Sequence, residues 1–215
     1  MGKMRIENLC KRYDGRSILD GLTLDLPDGG IYSIMGASGV GKTTLLQILL
    51  GLVEPEEGQI FGLSGKRFSA VFQEDRLCDF LTAAENIIAV CPGRHIRNHM
   101  AISQLNDRLA ELLPEESLRQ PVSTYSKGMK RRAAIARAVL TDSDILVMDE
   151  PFSGLDAKTK RQTVDFLLRY RQERTLILTT HDAEDAELLG AVRIWLGSDG
   201  AEADLEEAAL CFEHF

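Results

Sequence analysis

The sequence lacks a long hydrophobic run. Its most apolar stretch, LLQILLGLV at 45–53, is broken by Gln47 and falls far short of the roughly 20 apolar residues that a membrane-spanning helix requires. No membrane span is expected. Cysteine is sparse: Cys10, Cys78, Cys91 and Cys211 form no CxxC pair and have no histidine at metal-ligand spacing, which argues for ordinary reduced thiols and against a zinc site or a redox pair. Net positive charge is missing too. The 33 Asp and Glu against 25 Lys and Arg leave a formal charge of −8, which argues against the broad basic face that wraps nucleic acid while leaving room for local basic patches, and no nucleic-acid partner is expected. The start, MGKMRIENLC, has no apolar signal core, and Ile6 stands where N-myristoylation would want Ser or Thr, so the expected location is the cytosol.

What is present suits one compact unit of 215 residues, 44% of them apolar. There is no internal repeat and no low-complexity linker. The first thirty residues alternate apolar and polar side chains around a turn at Asp14-Gly15 and predict antiparallel strands, with a second turn at 27–30. The run IYSIM, a glycine-rich loop and a helical pattern from about Thr43 to Leu50 form a strand-loop-helix unit. FSAVF, DILVMD and TLILTT are short enough for buried parallel strands with helices between them, which implies an α/β core. Between Glu74 and Val122 the pattern is helix-rich without a convincing strand, and the final DLEEAALCF fits an amphipathic helix packed on the core.

GASGVGKTT, residues 36–44, satisfies G-x-x-x-x-G-K-[ST] between a strand and a helix. Gly36, Ala37, Ser38, Gly39, Val40 and Gly41 would curl their N–H groups around phosphate oxygens, Lys42 would reach the outer phosphates, and Thr43 and Thr44 open the helix, Thr43 offering its hydroxyl to Mg²⁺. DILVMDE places Asp149 and Glu150 at the carboxyl end of a strand, where α/β sheets bind ligands. Adjacent strand residues face opposite sides, so Asp149 is expected to face the metal and Glu150 a water attacking the terminal phosphate, as catalytic base.

In order along the chain, Tyr13, the loop at 36–44, Gln73 in AVFQED, YSKGMKRR at 125–132, ILVMDE, SGLD at 153–156 and His181 in TTHD resemble the nucleotide-binding subunit of an ABC transporter. The resemblance implies a P-loop NTPase (RecA-like) α/β core at 1–73 and 141–215, with an N-terminal antiparallel β subdomain, and an inserted helical subdomain at 74–140 carrying the signature. It implies ATP and Mg²⁺ as ligands. Tyr13 would stack on adenine, Gln73 would join the metal and water network, and His181 would bond the terminal phosphate. Asp156 would communicate across a dimer of two copies, in which Ser126 and Gly128 of one signature cover the nucleotide held by the other copy. The signature departs from LSGGQ at Tyr125, Lys127 and Met129, and a working signature is expected.

Two accounts of the cationic cluster stand side by side: Lys127, Lys130, Arg131 and Arg132 attend the partner's γ-phosphate, or they form a solvated face paired with acids such as Glu115 and Glu116. Ser126 is expected to N-cap the helix that follows. QEDRLCDFLTAAENI, 73–87, resembles the corresponding stretch of importer cassettes of the nitrate, sulfonate and taurine type. That resemblance implies separate transmembrane permease subunits and a solute-binding protein as partners, on the cytoplasmic face of the membrane. An exporter cassette is the nearest alternative and a non-transport ABC ATPase a more distant one.

Overall fold

The computed structural model describes residues 2–91 and 99–197, in two compact units. The predicted C-terminal helix and Cys211 lie outside the described residues.

The first unit comprises Met1–Phe68, Asp144–Glu150 and Glu173–Phe215. Strands β1 (Lys3–Tyr13) and β2 (Arg16–Pro27) form the expected antiparallel hairpin, turning at Asp14 and Gly15, both with positive φ. β4 (Glu57–Phe61), which the sequence pattern did not suggest, pairs on the other side of β1 and sets Ile60 opposite Ile6. The sheet order is therefore β2-β1-β4. EGQIF carries one partly buried apolar side chain, Ile60, so it lacks the alternation by which strands are recognised.

Four parallel strands of the same unit run in the order β6-β7-β3-β8: β6 (Ile145–Asp149), β7 (Thr175–Thr179), β3 (Ile31–Met35) and β8 (Val192–Trp195). β6 and β7 are buried at every position, which is why both read as continuous apolar runs. Helix α1 (Lys42–Leu49) turns Leu45, Leu46, Ile48 and Leu49 into a core shared with Met4 and Ile6 of β1 and with Ile34, Val147 and Ile177 of the parallel sheet. Full burial of such a side chain contributes about 1.5–3 kcal/mol. Helix α6 (Ala183–Leu189) follows β7.

The chain leaves the first unit within β5 (Phe68–Val71). The second unit, Ser69–Ser143 and Pro151–Gln172, contains the helices α2 (Ala83–Val90), α3 (His99–Leu109), α4 (Lys127–Leu140) and α5 (Ala157–Arg171). Thr82 and Glu85 close α2 with a reciprocal capping box. α4 buries the small residues Ala133, Ala134, Ala136 and Ala138 with Ile135 and Val139, a composition that permits close helix approach. Buried Asn86 bonds both the N–H and the carbonyl of Cys78, pinning the loop before α2. No helix among the described residues is long and apolar enough to cross a membrane.

Candidate functional site

β3 ends at Met35 and the backbone then curls through glycines that local geometry requires. Gly36 has φ of 142°, and a Cβ there would lie 2.6 Å from the Leu196 carbonyl oxygen. Gly41, the N-cap of α1, has φ of 110°, and its Cβ would lie 2.8 Å from Cγ2 of Ile18. No acidic residue occupies the first turn of α1, so the free N–H groups of that end face no carboxylate of their own helix. The buried Lys42 ammonium folds back over the loop, donating to the carbonyls of Gly36 (2.8 Å) and Ala37 (2.9 Å). Tyr13, at the end of β1, is partly exposed, with the Lys11 ammonium 5.3 Å from its ring centroid.

Across from the loop, β6 delivers a buried carboxylate. Asp149 accepts the Thr43 hydroxyl through Oδ2 at 2.9 Å and the Thr179 hydroxyl through Oδ1 at 2.5 Å. The first contact joins the start of α1 to the end of β6, and the second fixes the carboxylate's rotation from β7. Thr179 had no assigned part in the sequence; its signal was the polar end of the apolar run TLILTT.

Glu150 corrects one expectation. β6 stops at Asp149 and Glu150 takes a left-handed φ of 44°, so the strand alternation used to place its side chain does not extend to it. Its N–H donates to both the carbonyl (3.2 Å) and the hydroxyl (3.0 Å) of Thr179, so β7 holds the turned backbone. The carboxylate reaches 3.5 Å from Nδ1 of His181, whose side chain is 69% exposed. The turn after His181 is braced by the Thr180 hydroxyl, which donates to Asp185 and accepts from the Asp182 N–H.

Thus the first unit gathers the loop at 36–44, Asp149, Glu150 and His181, whereas Gln73, Ser126, Gly128 and Asp156 belong to the second. Gln73 is exposed. Ser126 caps α4 as expected, accepting from the Met129 N–H at 3.3 Å. Gly128 is helical, and a Cβ there would make only an ordinary contact, 3.7 Å from Leu155. Asp156 is the N-cap of α5, accepting from the Thr159 hydroxyl (2.7 Å) and N–H (3.0 Å); these bonds hold its carboxyl below the ordinary aspartate range.

The cationic cluster resolves unevenly. Lys130 pairs with Asp79 at 2.9 Å, the acid standing there in place of the suggested Glu115 and Glu116. Arg131 is no solvated side chain: it is 6% exposed and bonds the carbonyls of Phe72 and Pro151 and the carboxylate of Asp75. Arg132 bonds the carbonyls of Gly128 and Leu112; burial pushes its guanidinium pKa down, opposed by Asp156.

A hydroxyl and a carboxylate in contact, Thr43 and Asp149, offer the hard oxygen ligands suited to Mg²⁺. Among the described residues no group of three or more His, Cys, Asp or Glu stands together to hold a metal without further ligands. Cys10, Cys78 and Cys91 are free thiols.

A family profile described as ABC transporter matches residues 19–153. The aliphatic sulfonates import ATP-binding protein SsuB 1 of Paracoccus denitrificans is 35% identical over 201 residues, covering 93% of this chain and 81% of that protein. The bicarbonate transport ATP-binding protein CmpD of Synechococcus elongatus is 33% identical over 217 residues, covering 94% of this chain and 77% of its own length. Among solved structures, a dimeric post-hydrolysis state of an ATP-binding cassette bound to ADP and Pi superposes with a TM-score of 0.79 at 27% identity, covering 93% of this chain and 96% of that one. Sequence match, fold and loop geometry agree, and the chain belongs to the ABC transporter family.

Proposed function

We propose that the chain is the ATP-hydrolysing subunit of an ABC importer, acting as a pair of copies beneath separate permease subunits on the cytoplasmic face of a membrane. The observation that carries this reading is the contact of Thr43 with Asp149 under a loop across which Lys42 is already folded. Residues 36–44 cradle the phosphates of ATP. Lys42 exchanges its loop carbonyls for the outer phosphates, and Tyr13 stacks on the adenine. Thr43 and Asp149 would hold Mg²⁺, which when bound neutralises phosphate charge, and the family resemblance assigns Gln73 a part in the metal and water network.

Glu150 accepts the proton of a water as its oxygen bonds to the γ-phosphorus and the bridge to ADP breaks, leaving ADP and phosphate. His181 steadies the charge that develops on the terminal phosphate. Ser126, Gly128 and Asp156 serve the nucleotide of the second copy. A glycine at 128 is compatible with this: among the described residues a Cβ there would meet only Leu155, at an ordinary 3.7 Å.

Import of a small solute is supported by the names of the relatives, a sulfonate importer subunit and a bicarbonate transport subunit. A solute-binding protein completes the assembly on this reading.

Steady-state ATP hydrolysis and nucleotide titration test the assignment. Lys42→Ala removes charge-assisted hydrogen bonds of about 1.5–3 kcal/mol and is expected to weaken ATP affinity roughly 10- to 150-fold. Glu150→Gln is expected to keep affinity and lower turnover by about 10²- to 10⁴-fold. Wild-type turnover in Glu150→Gln would refute its role as base.

A further inference from the structure

α4 bears two arginines that both bond one short segment of chain. From Arg131, Nη1 reaches the carbonyls of Phe72 (2.6 Å) and Gln73 (3.5 Å) and Oδ1 of Asp75 (3.2 Å), while Nε reaches the carbonyl of Pro151 (2.9 Å). From Arg137, one turn and a half further on, Nη1 and Nη2 reach the carbonyls of Arg76 (2.6 Å) and Asp75 (3.2 Å). The segment 72–76 is itself bent: Arg76 has φ of 46°, and its guanidinium lies 3.8 Å from the centroid of the Phe72 ring. All of these residues belong to the second unit.

A guanidinium is costly to bury unless its planar donors are matched, and Arg131 is matched on both edges. The acceptors it chose are informative. They flank Gln73 on both sides, and Pro151 is the residue peptide-bonded to Glu150. Five residues before Arg131 in the same helix stands Ser126. Arg131 thereby ties α4 both to the backbone around Gln73 and to the residue that follows Glu150.

We propose that Arg131 is a positioning residue: with Arg137 it clamps the 72–76 segment to α4 and so sets where the Gln73 side chain reaches during ATP hydrolysis. This rests on the proposed ATPase function and on the role of Gln73 in it. Lysine cannot replace the clamp, because a single ammonium cannot span acceptors set out for a planar fork. Binding of nucleotide by the loop at 36–44 does not use the clamp, so the effect falls on turnover.

The test is a double-mutant cycle on the full chain, reading kcat and KM for ATP together with the thermal midpoint. Arg131→Lys is expected to lower kcat on the order of 10- to 100-fold, the scale of a misplaced active-site group, with KM changed by less than about 2-fold. In a Gln73→Ala background the same substitution is expected to lower kcat by less than about 2-fold, because its route of action is already gone. Asp75→Asn, which keeps the carbonyl contacts of Arg131 and removes the ion pair, carries the same cycle if Arg131→Lys does not fold, with a smaller loss and the same non-additivity. Losses that multiply across the Gln73→Ala background would overturn the clamp and leave the proposed function standing. Gln73→Ala with wild-type kcat would overturn both the clamp and the assigned role of Gln73.

Discussion

Glu150 shows how one backbone angle places a functional group. A non-glycine residue at φ of 44° carries strain of about 1–3 kcal/mol, and here two bonds from its N–H to Thr179 hold it. The turn frees the carboxylate from the strand and brings it to His181. Gly36 and Gly39 allow the same logic to be tested in the loop. Gly39 has φ of 80° with open space around it, whereas Gly36 combines φ of 142° with the Leu196 carbonyl 2.6 Å from any added Cβ. Gly39→Ala is expected to cost only the left-handed penalty of about 1–2 kcal/mol. Gly36→Ala adds a backbone clash and is expected to cost clearly more, up to about 4–5 kcal/mol, and to weaken ATP binding as the loop shifts. Urea unfolding of the two variants decides this; equal losses would mean that the loop moves away from Leu196 without difficulty.

Elements were legible in the sequence in proportion to how much of their surface is buried. β3, β6 and β7 stood out as apolar runs because their side chains are buried on both faces of the sheet, and the loop at 36–44 stood out because phosphate binding demands glycine, lysine and threonine at set spacing. β4 was hidden because pairing with β1, and not a hydrophobic face, makes it a strand. Arg131 was hidden for a different reason: four cations in eight residues look alike until folding separates the solvated from the buried. Caps fall between these cases. Thr82 and Glu85 have the T-x-x-E spacing of a capping box, and the structure closes it with the Thr82 N–H donating to the Glu85 carboxylate (2.8 Å) and the Glu85 N–H donating to the Thr82 hydroxyl (3.2 Å). α2 is only eight residues long, so its start weighs heavily. Thr82→Ala is expected to lower stability by about 1 kcal/mol and Thr82→Ser to restore most of it, read as shifts of the denaturation midpoint at constant slope. An unchanged midpoint in Thr82→Ala would mean that the bonds of Asn86 to Cys78 hold this end of the helix unaided.

At the scale of the whole molecule, the residues that carry the resemblance are divided between two units. The first turn of α4 contains no acidic residue and does contain Lys127 and Lys130, cations set against the positive end of the helix dipole. Asp79 answers Lys130, and Lys127 and the cap Ser126 are exposed. An arriving polyphosphate would turn that unfavourable arrangement into a favourable one. The Glu150→Gln variant, retaining ATP, is therefore expected to form a dimer with ATP and Mg²⁺ and to stay monomeric with ADP, measured as solution mass by light scattering. Raising the salt concentration should weaken that dimer, because the attraction of Lys127 for an external phosphate is screened over about 8–10 Å at 0.1–0.15 M ionic strength. Adding Ser126→Ala, which removes the cap, should weaken the dimer further without affecting ATP binding by the loop at 36–44. A monomer with both nucleotides, under conditions where Glu150→Gln binds ATP tightly, would show that Lys127 and Met129 leave the signature too weak to close alone, and closure would then depend on the membrane subunits.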